Sequence, residues 1–149
     1  MSVVETIVPT SVPAVFEVLA DGWSYAGWVV GASHIRKVDL GWPAVGTRIY
    51  HSVGPWPLTI QDTTVVRAVD RPNHLELRAR LWPVGAATVT LELAALDDET
   101  TAVRMTERVV AGPGRLLPQR VQALLLGPRN RASLTRLTDV AVGRARARR

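Results

Sequence analysis

Cysteine is absent from the 149-residue chain. This excludes disulfides, zinc–thiolate sites, iron–sulfur clusters and thiol nucleophiles, which leaves oxygen, imidazole and the shape of a binding site for any chemistry. The chain also lacks a run of the roughly 18 to 20 apolar residues that a transmembrane helix needs. It has no basic region followed by an apolar run, the pattern of a secretory signal. We therefore predict a cytoplasmic protein with no integral membrane segment.

The common catalytic and ligand-binding motifs are missing too. The sequence contains no GxGxxG dinucleotide motif, Walker P-loop, HExxH or GxSxG, and no pair of histidines at the spacing of metal ligands. Motifs of RNA- and DNA-binding domains are absent as well. We therefore expect no metal, no cofactor and no specific nucleic acid partner.

Positive charge is concentrated at the C-terminus. The chain has 18 Lys and Arg against 13 Asp and Glu, a net charge of +5. Four arginines lie in the last six residues, at Arg144, Arg146, Arg148 and Arg149, so residues 1–143 carry a net charge of only +1. The nearly neutral body predicts one domain over residues 1–143, followed by a basic tail over 144–149.

The order of the predicted elements is β, α, α, six β, α. Periodicity and turn residues predict strands over residues 2–8, 33–40, 47–53, 57–69, 74–82, 86–96 and 101–110. A short amphipathic helix begins after Thr10 or Ser11 and ends at Asp21, and a second short piece over residues 23–30 is helical or irregular. Because only tight turns join the later strands, they are expected to form an antiparallel meander.

A long C-terminal helix is predicted over residues 114–142 to cover the sheet. In residues 74–82, leucines alternate with charged residues, so one sheet face is apolar and needs a cover. The predicted apolar stripe of the covering helix consists of Val121, Leu124, Leu125, Leu134, Leu137 and Ala141. Gly127-Pro128 predicts a kink in its middle.

Four short motifs occur along this framework in a fixed order. They are PTSVPAVFEVLAD at 9–21, VGT at 45–47, VDRPNHL at 69–75, and Arg129-Asn130 ahead of Leu134 and Leu137. Together with the opening strand, they make the chain similar to the SRPBCC superfamily, which includes START lipid-transfer domains, the major birch-pollen allergen and polyketide cyclases. In particular, it resembles the small bacterial polyketide cyclase/dehydrase-like proteins.

This resemblance implies an α+β helix-grip fold. In that fold a seven-stranded curved antiparallel sheet wraps around the long C-terminal helix, with two short helices between strands 1 and 2. The resemblance also implies a cavity between sheet and helix, in which most members bind hydrophobic small molecules and some catalyse reactions on them. No catalytic motif is common to the superfamily, so the fold does not define an activity.

Glu107 is the most informative candidate residue. It continues the inward alternation of Val103, Met105 and Val109, which predicts a carboxylate on the apolar face. There it would serve as a general acid or base or bind a ligand. The alternatives are that a bulge turns it outward, or that an arginine from the helix pairs with it.

His51 is the second candidate for acid–base catalysis, because its unperturbed pKa near 6.5 suits proton transfer at neutral pH. It alternates with Ile49 and Val53, but the neighbouring Tyr50 is an equal candidate for the inward position. His34 and His74 are expected at the surface.

Six further residues are predicted to contact a ligand: Trp28, Trp56, Asp62, Trp82, Met105 and Asn130. The tryptophans lie on segments expected near the cavity mouth, with core filling as the alternative. Asp62 faces inward in one register of its strand and outward in the other, and the length of that strand predicts a bulge. Asn130 lies on the inward helix face, where it either meets the cavity or bonds helix to strand.

Three functions are compatible with these observations. The leading one is binding of a hydrophobic, aromatic or polyketide-like small molecule. The second is a cyclase or dehydratase that moves protons with Glu107 and His51. The third is binding of an acidic partner, anionic lipid or nucleic acid by the arginine-rich tail, whose alternative is a solvated terminus. The chain is expected to be a monomer or a homodimer.

Overall fold

Seven antiparallel strands form one sheet among the residues that the computed structural model describes, 1–53, 60–81 and 85–149. In chain order they are β1 (Ser2–Val8), β2 (Ala32–Val38), β3 (Arg48–Val53), β4 (Ile60–Asp70), β5 (His74–Leu81), β6 (Gly85–Asp97) and β7 (Thr100–Ala111). Their order across the sheet is β1-β7-β6-β5-β4-β3-β2, so the first strand lies beside the last. The predicted antiparallel meander is confirmed. The bulge expected in β4 lies between Val66 and Ala68.

Two short helices connect β1 and β2, as predicted. Helix α1 (Val12–Ala20) begins at Ser11, whose hydroxyl accepts a hydrogen bond from the backbone N–H of Ala14 at 3.3 Å. Helix α2 is a single turn, Tyr25–Trp28, preceded by a 3₁₀ turn. Both Tyr25 and Trp28 are buried, which places two aromatic rings over the inner face of the sheet.

The long helix α3 (Gln119–Ala147) covers the inner face of the sheet. Leu134, Leu137 and Ala141 are buried and belong to the same core cluster as Val4 and Leu91. Removal of these side chains from water is the main force that holds helix and sheet together. The architecture is the predicted α+β helix-grip fold, a curved sheet around a C-terminal helix.

The predicted apolar stripe is wrong at the N-terminal end of α3. Val121, Leu124 and Leu125 are 37%, 75% and 61% exposed. Gln122 is buried instead, and its side-chain amide donates to the carbonyl of Leu117 at 3.0 Å. Because α3 passes through Pro128 as one helix, Leu125 and Leu134 are about two and a half turns apart and lie on opposite faces.

Helix α3 continues to Ala147, past its predicted end at residue 142. The terminal arginines pair with acids on α1, after α1 and in the β6–β7 turn: Arg144 with Asp21 at 2.8 Å, Arg149 with Glu99 at 3.0 Å, and Arg148 with Glu17. Exposed ion pairs of this kind each contribute little to stability. With 29 residues α3 is long enough to span a bilayer, but no helix in the described ranges is sufficiently apolar to do so.

Truncation of two leucines on α3 tests which face is buried. Leu134 is 1% exposed, so Leu134→Ala is expected to lower the free energy of unfolding by about 2–5 kcal/mol. Leu124 is 75% exposed, and Leu124→Ala is expected to change it by about 0.5 kcal/mol or less. Urea denaturation measures both, and equal losses would contradict the outward orientation of Leu124.

Candidate functional site

A cavity of about 70 Å³ lies between the inner sheet face, α2 and α3. Its apolar walls come mainly from Trp28, Leu77, Val89 and Met105. Its polar lining residues are Tyr25, His51, Arg80, Glu107, Arg129, Asn130 and Ser133. An apolar cavity with a few polar groups is the usual form of a small-molecule site.

Glu107 faces inward from β7 and is 1% exposed. Its Oε1 accepts a hydrogen bond from the side-chain amide of Asn130 at 2.9 Å, and Arg129 donates to the same oxygen. The predicted inward orientation is confirmed, and pairing with a helix arginine, the stated alternative to a functional role, is also present. A buried carboxylate is tolerated only when it is paired, so this cluster joins β7 to α3.

Asn130 is held in one orientation by Glu107. A carboxylate only accepts hydrogen bonds, so the NH₂ group of Asn130 must face it. This leaves the amide oxygen Oδ1 buried and, among the described residues, without a hydrogen-bond partner. A buried acceptor without a partner costs about 1–3 kcal/mol, which a ligand donor or a water would relieve.

His51, rather than Tyr50, faces the cavity from β3. Its Nε2 lies 2.9 Å from the Thr64 hydroxyl, and its Nδ1 is buried without a partner in the described part of the chain. Burial lowers the pKa of His51 below its usual value of 6.5, while the Asp62 carboxylate opposes this shift. The ring is therefore neutral at neutral pH.

Tyr25 extends this polar group from the opposite wall. Its hydroxyl lies 3.2 Å from the Thr64 hydroxyl, and its ring packs 5.4 Å from the His51 ring and edge-on to Trp28. Burial raises the pKa of Tyr25 to about 12, so the hydroxyl keeps its proton. Tyr25, Thr64 and His51 thus form a hydrogen-bonded chain beside the cavity.

The other predicted ligand contacts divide into three groups. Trp28 and Met105 line the cavity. Asp62 is buried on the inner face of β4, in the inward register, but it does not line the cavity in the described ranges. Its carboxylate accepts from the Thr63 backbone at 2.8 Å instead. Trp56 and Trp82 lie outside the described residues.

Sequence reasoning missed five polar residues of the site: Tyr25, Thr64, Arg80, Arg129 and Ser133. Two signals were available, since Tyr25 lies on the segment expected to close the cavity and Arg129 precedes Asn130 in the family motif. Thr64 shares the inward alternation of Val66. Ser133 accepts a hydrogen bond from the Val30 backbone at 3.0 Å, a contact between α3 and the segment after α2 that only the tertiary structure shows.

No group of three His, Asp or Glu side chains within the described ranges is close enough to hold a metal ion. The side chains that line the cavity can form hydrogen bonds, transfer a proton through a neutral imidazole and make apolar contacts.

Comparison with protein families identifies this architecture. A family model described as "Polyketide cyclase / dehydrase and lipid transport" matches residues 1–142. The chain belongs to this family. No curated protein sequence matches it.

Solved structures of other proteins share the fold of this chain. ZhuI aromatase/cyclase from Streptomyces sp. R1128 superposes with a TM-score of 0.70 at 20% identity, over 97% of this chain and 94% of that one. Protein NE0264 from Nitrosomonas europaea has a TM-score of 0.69 at 17% identity, over 95% and 94%. The di-domain aromatase/cyclase StfQ of the steffimycin pathway has a TM-score of 0.70 at 16% identity, over 95% of this chain and 44% of that one. At these identities the likeness establishes the fold.

A double-mutant cycle tests the contact between Glu107 and Arg129. Glu107→Gln is expected to lower the free energy of unfolding by about 1–3 kcal/mol, because it removes the charge that compensates Arg129. The partial exposure of Arg129, whose side chain is 31% accessible, limits the loss. Arg129→Gln and the double variant complete the cycle, and the double variant should lose less than the sum of the single losses.

The exposed pair Glu5–Arg104, at 2.7 Å, is the matched control. The corresponding Glu5→Gln and Arg104→Gln cycle is expected to show a coupling of about 1 kcal/mol or less. Strictly additive losses for Glu107 and Arg129 would mean that their contact does not stabilise the fold.

Proposed function

We propose that this protein binds an apolar small molecule that carries a hydrogen-bonding group at its inserted end. The observation that supports this most directly is a pair of buried polar atoms, Asn130 Oδ1 and His51 Nδ1, that have no partner in the part of the chain that the structure describes and belong to side chains that line an apolar cavity. A hydroxyl or an enol satisfies such atoms, whereas a hydrocarbon leaves them unpaired.

The cavity volume limits how the ligand enters. At about 70 Å³ it is smaller than the engineered cavity of roughly 150 Å³ that accommodates benzene. Its lining also includes Gly31 and Arg80, which are both exposed, and we infer that a ligand enters beside them. A ligand therefore inserts one end between Trp28 and Met105 and extends outward, or side chains shift to admit a whole ring.

NMR titration with a matched pair of small rings tests this proposal. The probes p-cresol and p-xylene have the same size but differ in one hydroxyl group. We expect p-cresol to bind at least about tenfold more tightly, because its hydroxyl reaches the unpaired atoms of Asn130 or His51. The indole N–H signal of Trp28 and the side-chain amide signals of Asn130 should shift during the titration.

Trp23 supplies the control signal, since its side chain is 61% exposed and it does not line the cavity. The variants Trp23→Phe and Trp28→Phe assign the two indole signals. If the Trp28 and Trp23 signals shift equally, or if p-xylene binds as tightly as p-cresol, the proposed recognition of a polar group is wrong.

Catalysis of a cyclisation is the second candidate function. It is favoured by a neutral His51 whose Nδ1 has no partner among the described residues and whose Nε2 is linked through Thr64 to the Tyr25 hydroxyl, so a base and a hydrogen-bond donor line one cavity. Glu107 is a weaker choice for the base than the sequence indicates, because Arg129 and Asn130 both donate to its Oε1. The family description and the ZhuI aromatase/cyclase provide independent support.

The diketone 2,6-heptanedione is a minimal probe for such an activity. Removal of a proton from one terminal methyl group lets that carbon attack the distant carbonyl, and loss of water then gives 3-methylcyclohex-2-enone. His51→Gln is expected to lower the catalysed rate by about 10²–10⁴-fold, while His34→Gln, at an exposed position, leaves it unchanged. Because the pKa of His51 is lowered, the wild-type rate should persist as the pH falls through 6.5 and decline only below it.

A rate equal to that of buffer alone would exclude this activity on the probe. A rate that His51→Gln leaves unchanged would assign proton transfer to another group. Neither result affects the binding proposal, which the NMR titration tests separately.

A further inference from the structure

An exposed apolar surface covers the N-terminal end of α3 and the 3₁₀ turn before it. The leucine surface, as we call it, consists of Leu116, Leu117, Val121, Leu124 and Leu125. Leu116, Leu124 and Leu125 are 82%, 75% and 61% exposed. A cluster of this kind on a protein surface commonly marks a site of interaction.

The outward orientation of this surface follows from the local hydrogen bonds. Gln122 is buried and donates to the carbonyls of Gly114 and Leu117, which satisfies the end of the 3₁₀ turn. Val121, Leu124 and Leu125 are three and four residues apart, so they share one helix face, and all three are exposed while Gln122 is buried.

Two unpaired arginines of the described chain lie beside the leucines. Arg115 and Arg120 are exposed within it, and the sequence has no acidic residue between Glu107 and Asp139. Neither arginine forms an ion pair with any described residue, and segments 54–59 and 82–84 contain no acid. The arginines at the other end of α3 differ, because Arg144, Arg148 and Arg149 are paired within the molecule.

We propose that the leucine surface docks this protein onto an anionic lipid bilayer. A helix segment with leucines on one face and arginines beside them lies in the plane of the membrane. Its leucines insert among the acyl chains, and its guanidinium groups contact the lipid phosphates. The arginines disfavour a second copy of the chain as the occupant, since a symmetric contact brings like charges together. Docking of this kind requires no spanning helix.

Vesicle flotation with the full chain tests the proposal. The wild-type protein should bind vesicles of phosphatidylcholine with 30% phosphatidylglycerol at least about tenfold more tightly than pure phosphatidylcholine, and high salt should weaken this binding. Leu124→Ser with Leu125→Ser should reduce binding by about tenfold or more, and so should Arg115→Glu with Arg120→Glu.

Matched controls lie on the sheet. Ile7→Ser with Leu96→Ser changes two apolar residues that are 62% and 56% exposed, and Arg67→Glu with Arg108→Glu changes two exposed arginines. Both control variants should bind vesicles as the wild type does. Circular dichroism and thermal melting show whether each variant is folded, which is expected because all substituted residues are exposed.

Three results would overturn the proposal. The first is no binding of the folded wild-type protein to anionic vesicles, and the second is equal binding by the leucine variant. The third is a wild-type dimer in sedimentation velocity that Leu124→Ser with Leu125→Ser converts to a monomer, without vesicle binding by either. That result would assign the leucine surface to contact between two copies.

Discussion

The buried carboxylate of Glu107 joins the last strand of the sheet to the helix that covers it. Its donors, Arg129 and Asn130, are consecutive residues of α3, so satisfying one oxygen sets both the position and the rotation of the helix over β7. Because a buried charge without partners is very costly, few other placements of α3 are available. The hydrophobic contact of Leu134 and Leu137 is compatible with this placement and adds to its stability.

Two surfaces of different character follow from that rotation. Toward the sheet, the amide oxygen of Asn130 has no partner among the described residues, and the Ser133 hydroxyl accepts a hydrogen bond from the backbone after α2. Away from the sheet, Val121 precedes Asn130 by about two and a half turns and therefore faces solvent with Leu124 and Leu125. The cavity and the leucine surface thus lie on opposite faces of α3, and both depend on the orientation of that helix.

Strand alternation predicted the inner face of the sheet well. It placed Glu107 and Met105 inward correctly, because a strand repeats every two residues and β7 continues that repeat past both. For β3 it could not choose between His51 and Tyr50, and for β4 it left two registers open, since a bulge shifts the repeat by one residue. On α3 the apolar stripe was misplaced, because nine residues of continuous helix separate Leu125 from Leu134 and turn them to opposite faces.

The sequence by itself determined the element order, the antiparallel sheet, the covering helix and the absence of cysteine chemistry, because these depend on local periodicity and composition. Only the tertiary structure showed that Arg129 and Asn130 share one oxygen of Glu107, and that Thr64 bridges Tyr25 and His51. These contacts join residues 13 to 39 positions apart in the chain. No local pattern encodes such distances, since they arise when burial forces each polar group to find a partner across the core.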